Sequence, residues 1–366
     1  LVKLHRWGGR KAWIVACTVM MIVTLMIAAT VDFKAHFQLL LAMIVLNNVF
    51  CATQDVAIDS LAVSTLQPDE RGRGNGFMFA GQYAGIALGG GGAMFVNGTF
   101  GFETALAFVA GLLFVSLLFV TMFVRDPHVD PAPTRQPDAL RRLAGTMVSF
   151  VKDVYSSFWQ AGRGPRIGVA FALLPIGAMA LAYATLGTIQ VDYGLKDHQI
   201  AALSLYNTVA AAIGCMAGGW LGDRFGLKRA VALAYALTAA PALMLAAQIS
   251  AEGLQSVPID RFYGLIMAHG LCFGMAYGVR NAIFMGMTNP VVAATQFTAF
   301  MGMANVAISM GNYWQGIVAE RMGYAAVLYL DALFAMLVIL VIPFLREREK
   351  RPAGGLLTTE PLLAST

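Results

Sequence analysis

Apolar stretches of about 20 residues recur along the whole chain, and they restrict the possible folds more than any other feature. A stretch of that length is sufficient to cross the ~30 Å hydrocarbon core of a bilayer as an α-helix. Only 12% of the 366 residues are charged, against about 25% in an average soluble domain. The sequence therefore predicts an all-α integral membrane protein in contact with the lipid bilayer.

We predict ten membrane-spanning helices. In chain order they cover residues 12–31, 37–63, 76–96, 104–124, 167–189, 199–221, 230–249, 261–286, 292–318 and 323–345. All four cysteines fall inside these spans and none forms a Cys-x-x-Cys pair. We therefore expect no disulfide framework, no metal site and no cofactor.

Lysine and arginine residues indicate the orientation, because they are retained on the cytoplasmic side of membrane proteins. With the N-terminus inside, the inner segments hold 20 of the 25 basic residues. We therefore expect both termini in the cytoplasm. This asymmetry accounts for the net charge of +5, so the charge does not indicate a nucleic-acid partner.

The longest break between predicted spans, residues 125–166, begins with a Pro-rich polar stretch typical of a linker. It separates an N-terminal half, residues 1–124, from a C-terminal half, residues 167–345, and a tail follows at 346–366. Apolar residues in the linker recur at helical spacing, which is typical of a helix on a membrane surface, although a plain tether is the alternative. These residues are Leu140, Leu143, Met147, Phe150, Val151, Val154 and Phe158.

Two pairs of segments show that the halves repeat one plan. HRWGGRKA (5–12) matches DRFGLKRA (223–230), and residues 66–90 align with 288–312 through Pro68 and Pro290. Parallel halves of this kind place a site at the membrane midplane between them. Within the second half, two predicted spans (167–189 and 199–221) precede DRFGLKRA, whereas only four residues precede HRWGGRKA in the first half. We therefore expect ten of twelve helices, with the first two lacking.

Residues 218–230, GGWLGDRFGLKRA, resemble the signature loop of the major facilitator superfamily, with Leu227 where that loop usually has Arg. The first-half copy departs further, with His5 in place of Asp and Gly9 in the Arg position. The resemblance implies a major facilitator fold of two pseudo-symmetric helical halves. It also implies a gating role for these loop residues: Arg6, Gly8, Arg10, Lys11, Asp223, Arg224, Gly226, Lys228 and Arg229.

Residues 51–76 and 293–324 resemble the AmpG muropeptide permeases and the related acetyl-coenzyme A transporters. The resemblance implies a monomeric permease in a bacterial inner membrane. It would import anhydromuropeptides, the sugar-peptide fragments of cell-wall turnover, together with protons. Two alternatives stay open: a carrier of acetyl-coenzyme A or another organic anion, and a non-transporting receptor derived from a carrier. No HExxH or GxSxG motif indicates an enzyme.

Ionisable residues inside the spans are the candidate proton-coupling groups, because a charge at the bilayer centre costs at least ~2.5 to 3.5 kcal/mol unless it is paired or hydrated. Asp55 and Asp59 share one helix face at i,i+4 spacing, which suits reversible proton binding. The alternative for Asp59 is a structural role, in which its carboxylate anchors Arg6 or Arg10 of the adjacent loop. His269 is a third candidate, with simple packing as its alternative.

The register through Pro68 and Pro290 places Tyr277 opposite Asp55 and Asn281 opposite Asp59, on helices that face each other across the cavity. Arg280 would then bind an anionic substrate group or pair with an Asp of the other half, unless it snorkels to the inner surface. Further amides are expected to line the cavity: Asn47, Asn48, Gln54, Gln296 and Asn305. The glycine run 89–92 is expected to allow close helix packing, and Asp331 has no predicted role.

Overall fold

The computed structural model describes residues 9–31, 36–126, 152, 155–159, 163–288 and 292–345. Within these ranges the chain consists of helices and connecting turns, with no β-strand. Arg6 and Gly8 lie outside the described residues, and so do most of the linker and the tail. Of the amphipathic linker residues, only Phe158 is described. It is buried against Phe300 of the C-terminal half, with the ring centroids 5.4 Å apart.

The N-terminal half contains four spans. They are α1 (Gly9–Ala29), α2 (Phe37–Thr65), a composite third span, and α5 (Phe102–Phe123). The third span begins as α3 (Arg71–Gly85), continues as a π-helix (Ile86–Gly92) and ends as α4 (Ala93–Phe100). Helix α1 packs against both α2 and α5.

The C-terminal half contains α6 (Arg163–Ala172), α7 (Ala184–Tyr193), α8 (Asp197–Phe225), α9 (Leu227–Glu252), α10 (Ile259–Met287) and α11 (Ala293–Ile339). Helix α10 packs against α8 and α9, and α9 packs against α11. Helix α11 has a break at Gly323, where φ is 81° and ψ is 172°. It therefore supplies two spans, with arms before and after this residue.

Seven helices in the described ranges are long and apolar enough to cross a membrane: α1, α2, α5, α8, α9, α10 and α11. Counting α11 as two spans gives eight, and the α3–α4 and α6–α7 pairs occupy the positions of the other two predicted spans. The structure therefore accommodates the ten predicted spans, although two of them are not regular α-helices.

The prediction of one continuous helix over 167–189 is wrong in its middle. Residues 173–183, which we name the interrupted segment, form bends and turns between α6 and α7. Pro175 has no N–H group for a helix, and Gly177 adopts a φ of 65°. The segment is tolerated at membrane depth because protein encloses it: Ile176, Ala178 and Leu181 are fully buried.

The expectation of close packing at the glycine run is also wrong for Gly89, Gly90 and Gly91, since a Cβ on any of them would meet no described atom within 4 Å. Close packing occurs instead where α3 meets α8. A Cβ on Gly219 would overlap the carbonyl oxygen of Gly72. The two halves therefore approach backbone to backbone at this contact.

Candidate functional site

Aromatic side chains line the junction where α3 of the first half meets α10 of the second. Phe79 packs edge-on against Tyr277, with ring centroids 4.8 Å apart. Tyr277 stacks with Phe273 at 6.1 Å, and Phe273 stacks with His269 at 6.0 Å. Tyr183 of the interrupted segment adds an edge-on contact to Phe273 at 5.6 Å. These rings form a continuous aromatic column along one face of α10.

Three tyrosines bring hydroxyl groups to this junction. Tyr83 lies on α3, Tyr183 in the interrupted segment and Tyr277 on α10. Their hydroxyl groups are close enough to interact electrostatically with one another. None of the three hydroxyls forms a hydrogen bond with a described residue. They therefore supply hydrogen-bonding capacity that the described part of the protein does not itself use.

Both carboxylates of the predicted pair on α2 lie near this cluster. Tyr277 is within electrostatic range of Asp55 and Asp59. Asp59 is buried and Asp55 is exposed, and neither forms a hydrogen bond or ion pair with a described residue. The alternative in which Asp59 anchors Arg10 is not observed, because the Arg10 guanidinium donates to Ser64 Oγ at 2.7 Å and lies 3.8 Å from Asp126.

Arg280 of α10 is fully buried and lies between aromatic rings. Its guanidinium carbon is 5.4 Å from the ring centroid of Phe171 and 5.0 Å from that of Phe284. Its Nη2 donates to the carbonyl oxygens of Phe171, Ala172 and Leu174 at 3.0, 2.9 and 3.0 Å. Because α6 ends at these residues, the Ala172 and Leu174 carbonyls have no backbone donor among the described residues, and the Phe171 carbonyl accepts only the Leu174 N–H at 3.3 Å. Arg280 supplies the donor that a continuing helix would have provided.

The other nitrogens of Arg280, Nε and Nη1, have no hydrogen-bond partner among the described residues. Neither of the two ion pairs in the described part of the chain involves Arg280. The expected pairing with an Asp of the first half is therefore not observed. The snorkelling alternative is excluded as well, because protein encloses the side chain completely.

His269 and Thr238 also hold the interrupted segment, both at Ala178. His269 is fully buried, and its Nε2 donates to the Ala178 carbonyl at 2.9 Å, while its Nδ1 has no partner among the described residues. Thr238 of α9 accepts the Ala178 N–H at 3.0 Å. In this conformation the side chain predicted to relay protons is therefore engaged in holding the backbone.

Asp331 holds the same segment from the opposite direction. Its Oδ2 accepts the N–H of Ala180 at 2.7 Å, and its Oδ1 accepts Nε2 of Gln315 at 3.0 Å. The sequence alone predicts no role for this residue. The signal that could have identified it is a single carboxylate in an otherwise apolar span, since such a residue is a functional candidate by default.

Asp223 of the signature loop connects the halves at the predicted inner side. It accepts the backbone N–H groups of Gly72 and Arg73 at 2.8 Å each, and Nε of Arg73 at 3.1 Å. Its charge therefore lies at the positive N-terminus of α3. In the first half, Asp126 accepts the N–H groups of Arg10 and Lys11 at 2.7 and 3.3 Å, at the start of α1.

The remaining loop residues have varied surroundings. The Lys11 ammonium donates to the Thr121 carbonyl at 2.8 Å. Arg224 lies over the rings of Trp220 and Phe225, at 5.6 and 5.8 Å from their centroids. Gly226 ends α8, and neither Lys228 nor Arg229 forms a hydrogen bond or ion pair with a described residue.

Comparison with known proteins identifies the family. A model described as Major Facilitator Superfamily matches residues 3–196 and 167–365, which together cover nearly the whole chain. The chain belongs to the major facilitator superfamily. The predicted fold class and the predicted resemblance are confirmed, and the protein is an integral, multi-pass membrane protein of a transporter family.

Curated relatives of this major facilitator protein include named permeases. A Rickettsia conorii protein named as transporter AmpG 4 is 22% identical over 93% of this chain and 79% of its own length. The anhydromuropeptide permease of Escherichia coli is 21% identical over 86% of this chain and 60% of its own length. The chain thus spans about three fifths of the E. coli permease.

Solved structures of the superfamily share the fold. The human organic anion transporter MFSD10 matches with a TM-score of 0.69 at 17% identity, over 92% of this chain and 77% of that one. The E. coli fucose:proton symporter FucP also matches with a TM-score of 0.69, at 13% identity over 95% and 87%. Similarity at these identities shows a shared fold alone.

Two amides predicted to line the cavity of this major facilitator protein instead join α2 to α1. Asn47 Nδ2 donates to the Met21 carbonyl at 3.1 Å and to Thr24 Oγ1 at 2.8 Å, and Gln54 Nε2 donates to Thr18 Oγ1 at 2.5 Å. Helical spacing had placed these amides on α2 without indicating which neighbouring helix they face.

The other predicted cavity amides differ in burial and in hydrogen bonding. Asn48 is exposed and bonds to its own helix at the Ile44 carbonyl. Gln296 is buried and donates to the Ser157 carbonyl at 3.2 Å. Asn305 is exposed on α11, whereas the buried Nδ2 of Asn281 has no partner among the described residues.

Proposed function

We propose that this protein is a secondary carrier that imports anhydromuropeptides together with protons by alternating access. The observation that carries the proposal is the position of Asp55 and Asp59, two carboxylates without described partners that lie within electrostatic range of Tyr277 on the other half. A carboxylate between two halves that rock can bind a proton from one side of the membrane and release it to the other. Similarity to the E. coli anhydromuropeptide permease supports the substrate class.

The chemistry of the junction suits a sugar-peptide. Hydroxyl groups of Tyr83, Tyr183 and Tyr277 can exchange hydrogen bonds with sugar hydroxyls, and their rings offer apolar faces to the sugar. Arg280 retains two nitrogens without described partners, and a planar guanidinium suits the carboxylate of a peptide. In this proposal Arg280 reaches the substrate when the interrupted segment moves.

The contact between Asp223 and the start of α3 supports a transport cycle. Together with the close approach of Gly72 and Gly219, it holds the halves together at the predicted inner side. Release of substrate to the cytoplasm would require this contact to separate. The conformation described here therefore corresponds to an outward-facing stage of the proposed cycle.

A carrier of another organic anion, such as acetyl-coenzyme A, is a second candidate. The observation that favours it is the buried Arg280 charge, which has no carboxylate partner among the described residues. The two candidates are distinguished by competition during uptake. If the protein carries muropeptides, an excess of unlabelled anhydromuropeptide should reduce the uptake of labelled muropeptide. If it carries an unrelated anion, the same excess should leave the uptake of that anion unchanged.

Uptake of labelled anhydromuropeptide tests the proposal, using cells that lack their own permease. We expect accumulation that collapses when the proton gradient is dissipated. Asp55→Asn should abolish gradient-driven accumulation while leaving exchange across the membrane, because the amide cannot carry a proton. Glu103→Gln is the matched control, since Glu103 is an exposed carboxylate at the start of α5, and this variant should accumulate substrate normally.

Four results would contradict the proposal in different ways. Absence of uptake by well-expressed protein would reject the substrate, and saturable binding without uptake would favour a receptor. Accumulation that persists without a proton gradient would reject proton coupling. Unchanged gradient-driven accumulation in Asp55→Asn would remove that carboxylate from the coupling step.

A further inference from the structure

Buried side chains with opposite charges hold the two ends of the interrupted segment. Arg280 donates to the carbonyl groups at the end of α6, and Asp331 accepts the N–H of Ala180 further along the segment. Each charged side chain therefore contacts backbone groups of opposite partial charge, which lack helical partners where the helix is interrupted. The conformation of residues 173–183 thus depends on the charge of these two side chains.

Asp331 is the member of this arrangement whose charge a proton can cancel. It lies on the second arm of α11 and is fully buried. The interrupted segment contributes the N–H of Ala180 to it, and the first arm of α11 contributes Gln315. His269 and Arg280 of α10 are the ionisable side chains that also bond to the interrupted segment, and both bond to its carbonyls. Neither of the two ion pairs in the described ranges involves Asp331.

This environment suits a proton better than a metal ion. Both carboxylate oxygens already accept N–H groups, so a bound cation would displace those donors and would need further oxygen ligands. Within the described residues no group of His, Cys, Asp or Glu side chains could hold a metal ion. A buried carboxylate stabilised only by neutral donors is costly at membrane depth, and a proton removes that cost.

A polar pocket gives a route from the predicted outer side to Asp331. The pocket has a volume of about 260 Å³ and lies beside the end of α7 and the break at Gly323. Its polar lining comes from Thr185, Thr188, Asp192, Asn312, Glu320 and Tyr324.

Thr185 at the wall of this pocket donates to Gln315 Oε1 at 3.2 Å, and Gln315 in turn donates to Asp331. A single amide side chain thus separates the wall of the pocket from the buried carboxylate. The two carboxylates of the pocket, Asp192 and Glu320, place negative charge where protons would enter.

We propose that Asp331 is a proton-binding site, reached from the outer polar pocket past Thr185 and Gln315, whose protonation releases the interrupted segment. The neutral acid accepts the Ala180 N–H more weakly than the carboxylate does, so one of the hydrogen bonds that fix the segment is weakened. Tyr183 and Leu174, whose carbonyl accepts from Arg280, belong to the same segment. Proton arrival from outside would thereby loosen the wall of the central junction. The inference rests on the proposed carrier function only for this last consequence.

The test uses the full chain in detergent without substrate, so that a failure of the muropeptide proposal does not affect it. Infrared difference spectra during acidification should show the carbonyl stretch of a newly protonated carboxylic acid. Asp331→Asn should remove that band and Asp331→Glu should shift it. Asp260→Asn, which alters an acidic residue at the start of α10 outside the pocket, should leave it unchanged.

Hydrogen exchange in residues 173–183 supplies the second measurement. After correction for the intrinsic pH dependence, wild-type exchange in this segment should be about tenfold faster in the protonated state, because a hydrogen bond to a charged acceptor is lost. Asp331→Asn should exchange at the faster rate at every pH. A peptide from α9 should show no such change in either protein.

Two outcomes would overturn the proposal. One is a wild-type spectrum without a band that responds to Asp331 substitution. The other is an exchange rate in 173–183 that does not rise on acidification, or that rises equally in Asp331→Asn. A wild-type exchange rate that does not rise on acidification overturns the proposal without any variant, so misfolding of Asp331→Asn would not leave the proposal untested.

Discussion

At the scale of single residues, the buried charges are compensated mainly by backbone rather than by one another. Arg280 binds three carbonyl oxygens at the end of α6, and Asp331 binds an N–H of the same interrupted segment. Asp223 and Asp126 do the same at the starts of α3 and α1. Helix ends carry partial charges and unsatisfied groups, so one ionised side chain can compensate several of them.

Arg280→Ala should lower the free energy of unfolding by at least about 3 kcal/mol, because three carbonyls at the end of α6 lose the Arg280 donor and a cavity opens between two rings. Arg280→Lys should recover only part of this loss, since an ammonium lacks the planar fork that lies between Phe171 and Phe284. Chemical unfolding in detergent measures both variants.

Arg224→Ala is the control for this prediction, because that guanidinium lies over Trp220 and Phe225, both of which are exposed. We expect it to change stability by less than about 1 kcal/mol. Equal losses for the two alanine variants would show that the carbonyl contacts of Arg280 contribute nothing specific.

At the scale of helices, the spans that meet at the junction contain irregular backbone or make close backbone contacts. The α6–α7 pair is interrupted by buried, non-helical backbone, and the third span passes through a π-helix. Helices α3 and α8 meet through glycines, which permit backbone contact between the halves. Such contacts tolerate little change in volume because there is no side chain to move aside.

Gly219→Ala should destabilise the closed inner contact by about 1 to 3 kcal/mol, because the added methyl group overlaps the Gly72 carbonyl. The midpoint temperature of thermal unfolding should fall. Cysteines introduced at the ends of α3 and α8 that meet at this contact should crosslink more slowly. Gly264→Ala is the control, since a Cβ there meets no described atom within 4 Å. That variant should be neutral or slightly stabilising, as alanine favours helix over glycine.

At the scale of the whole molecule, the two halves are held together at the predicted inner side by Asp223. Its carboxylate accepts two backbone N–H groups of α3 and one side-chain group of Arg73. These bonds exist only while α8 and α3 are adjacent. They therefore stabilise the state in which the halves meet at this contact relative to any state in which they separate there.

Asp223→Ala should shift the equilibrium toward an inner opening by about 2 kcal/mol, roughly a thirtyfold change in the ratio of the two states. Distances between spin labels at the inner ends of α3 and α8 would measure the shift. Asp126→Ala removes a similar cap within the first half alone, so it should lower stability without changing that ratio. An identical distance distribution in Asp223→Ala and wild type would contradict the gating role.

Several features were predictable from the sequence because their signals are local. Ten apolar stretches, the signature loop around Asp223 and the family all follow from residues close together in the chain. The pairing of Pro68 with Pro290 also led to the expectation that Tyr277 faces Asp55, and the structure places them within electrostatic range. Length, apolarity and short motifs depend little on how distant helices pack.

Only the tertiary structure decided where polar side chains bind. Helical spacing assigns Asn47 and Gln54 to a face of α2 but does not identify α1 as their partner. The break at 173–183 is stable because Arg280, His269, Thr238 and Asp331 converge on it from three other helices, and no local pattern contains that convergence. The sequence by itself determined the membrane-spanning class, the family and the approximate spans. The packing of distant helices determined that Asp331, without a predicted role, became a hydrogen-bond partner of the interrupted segment.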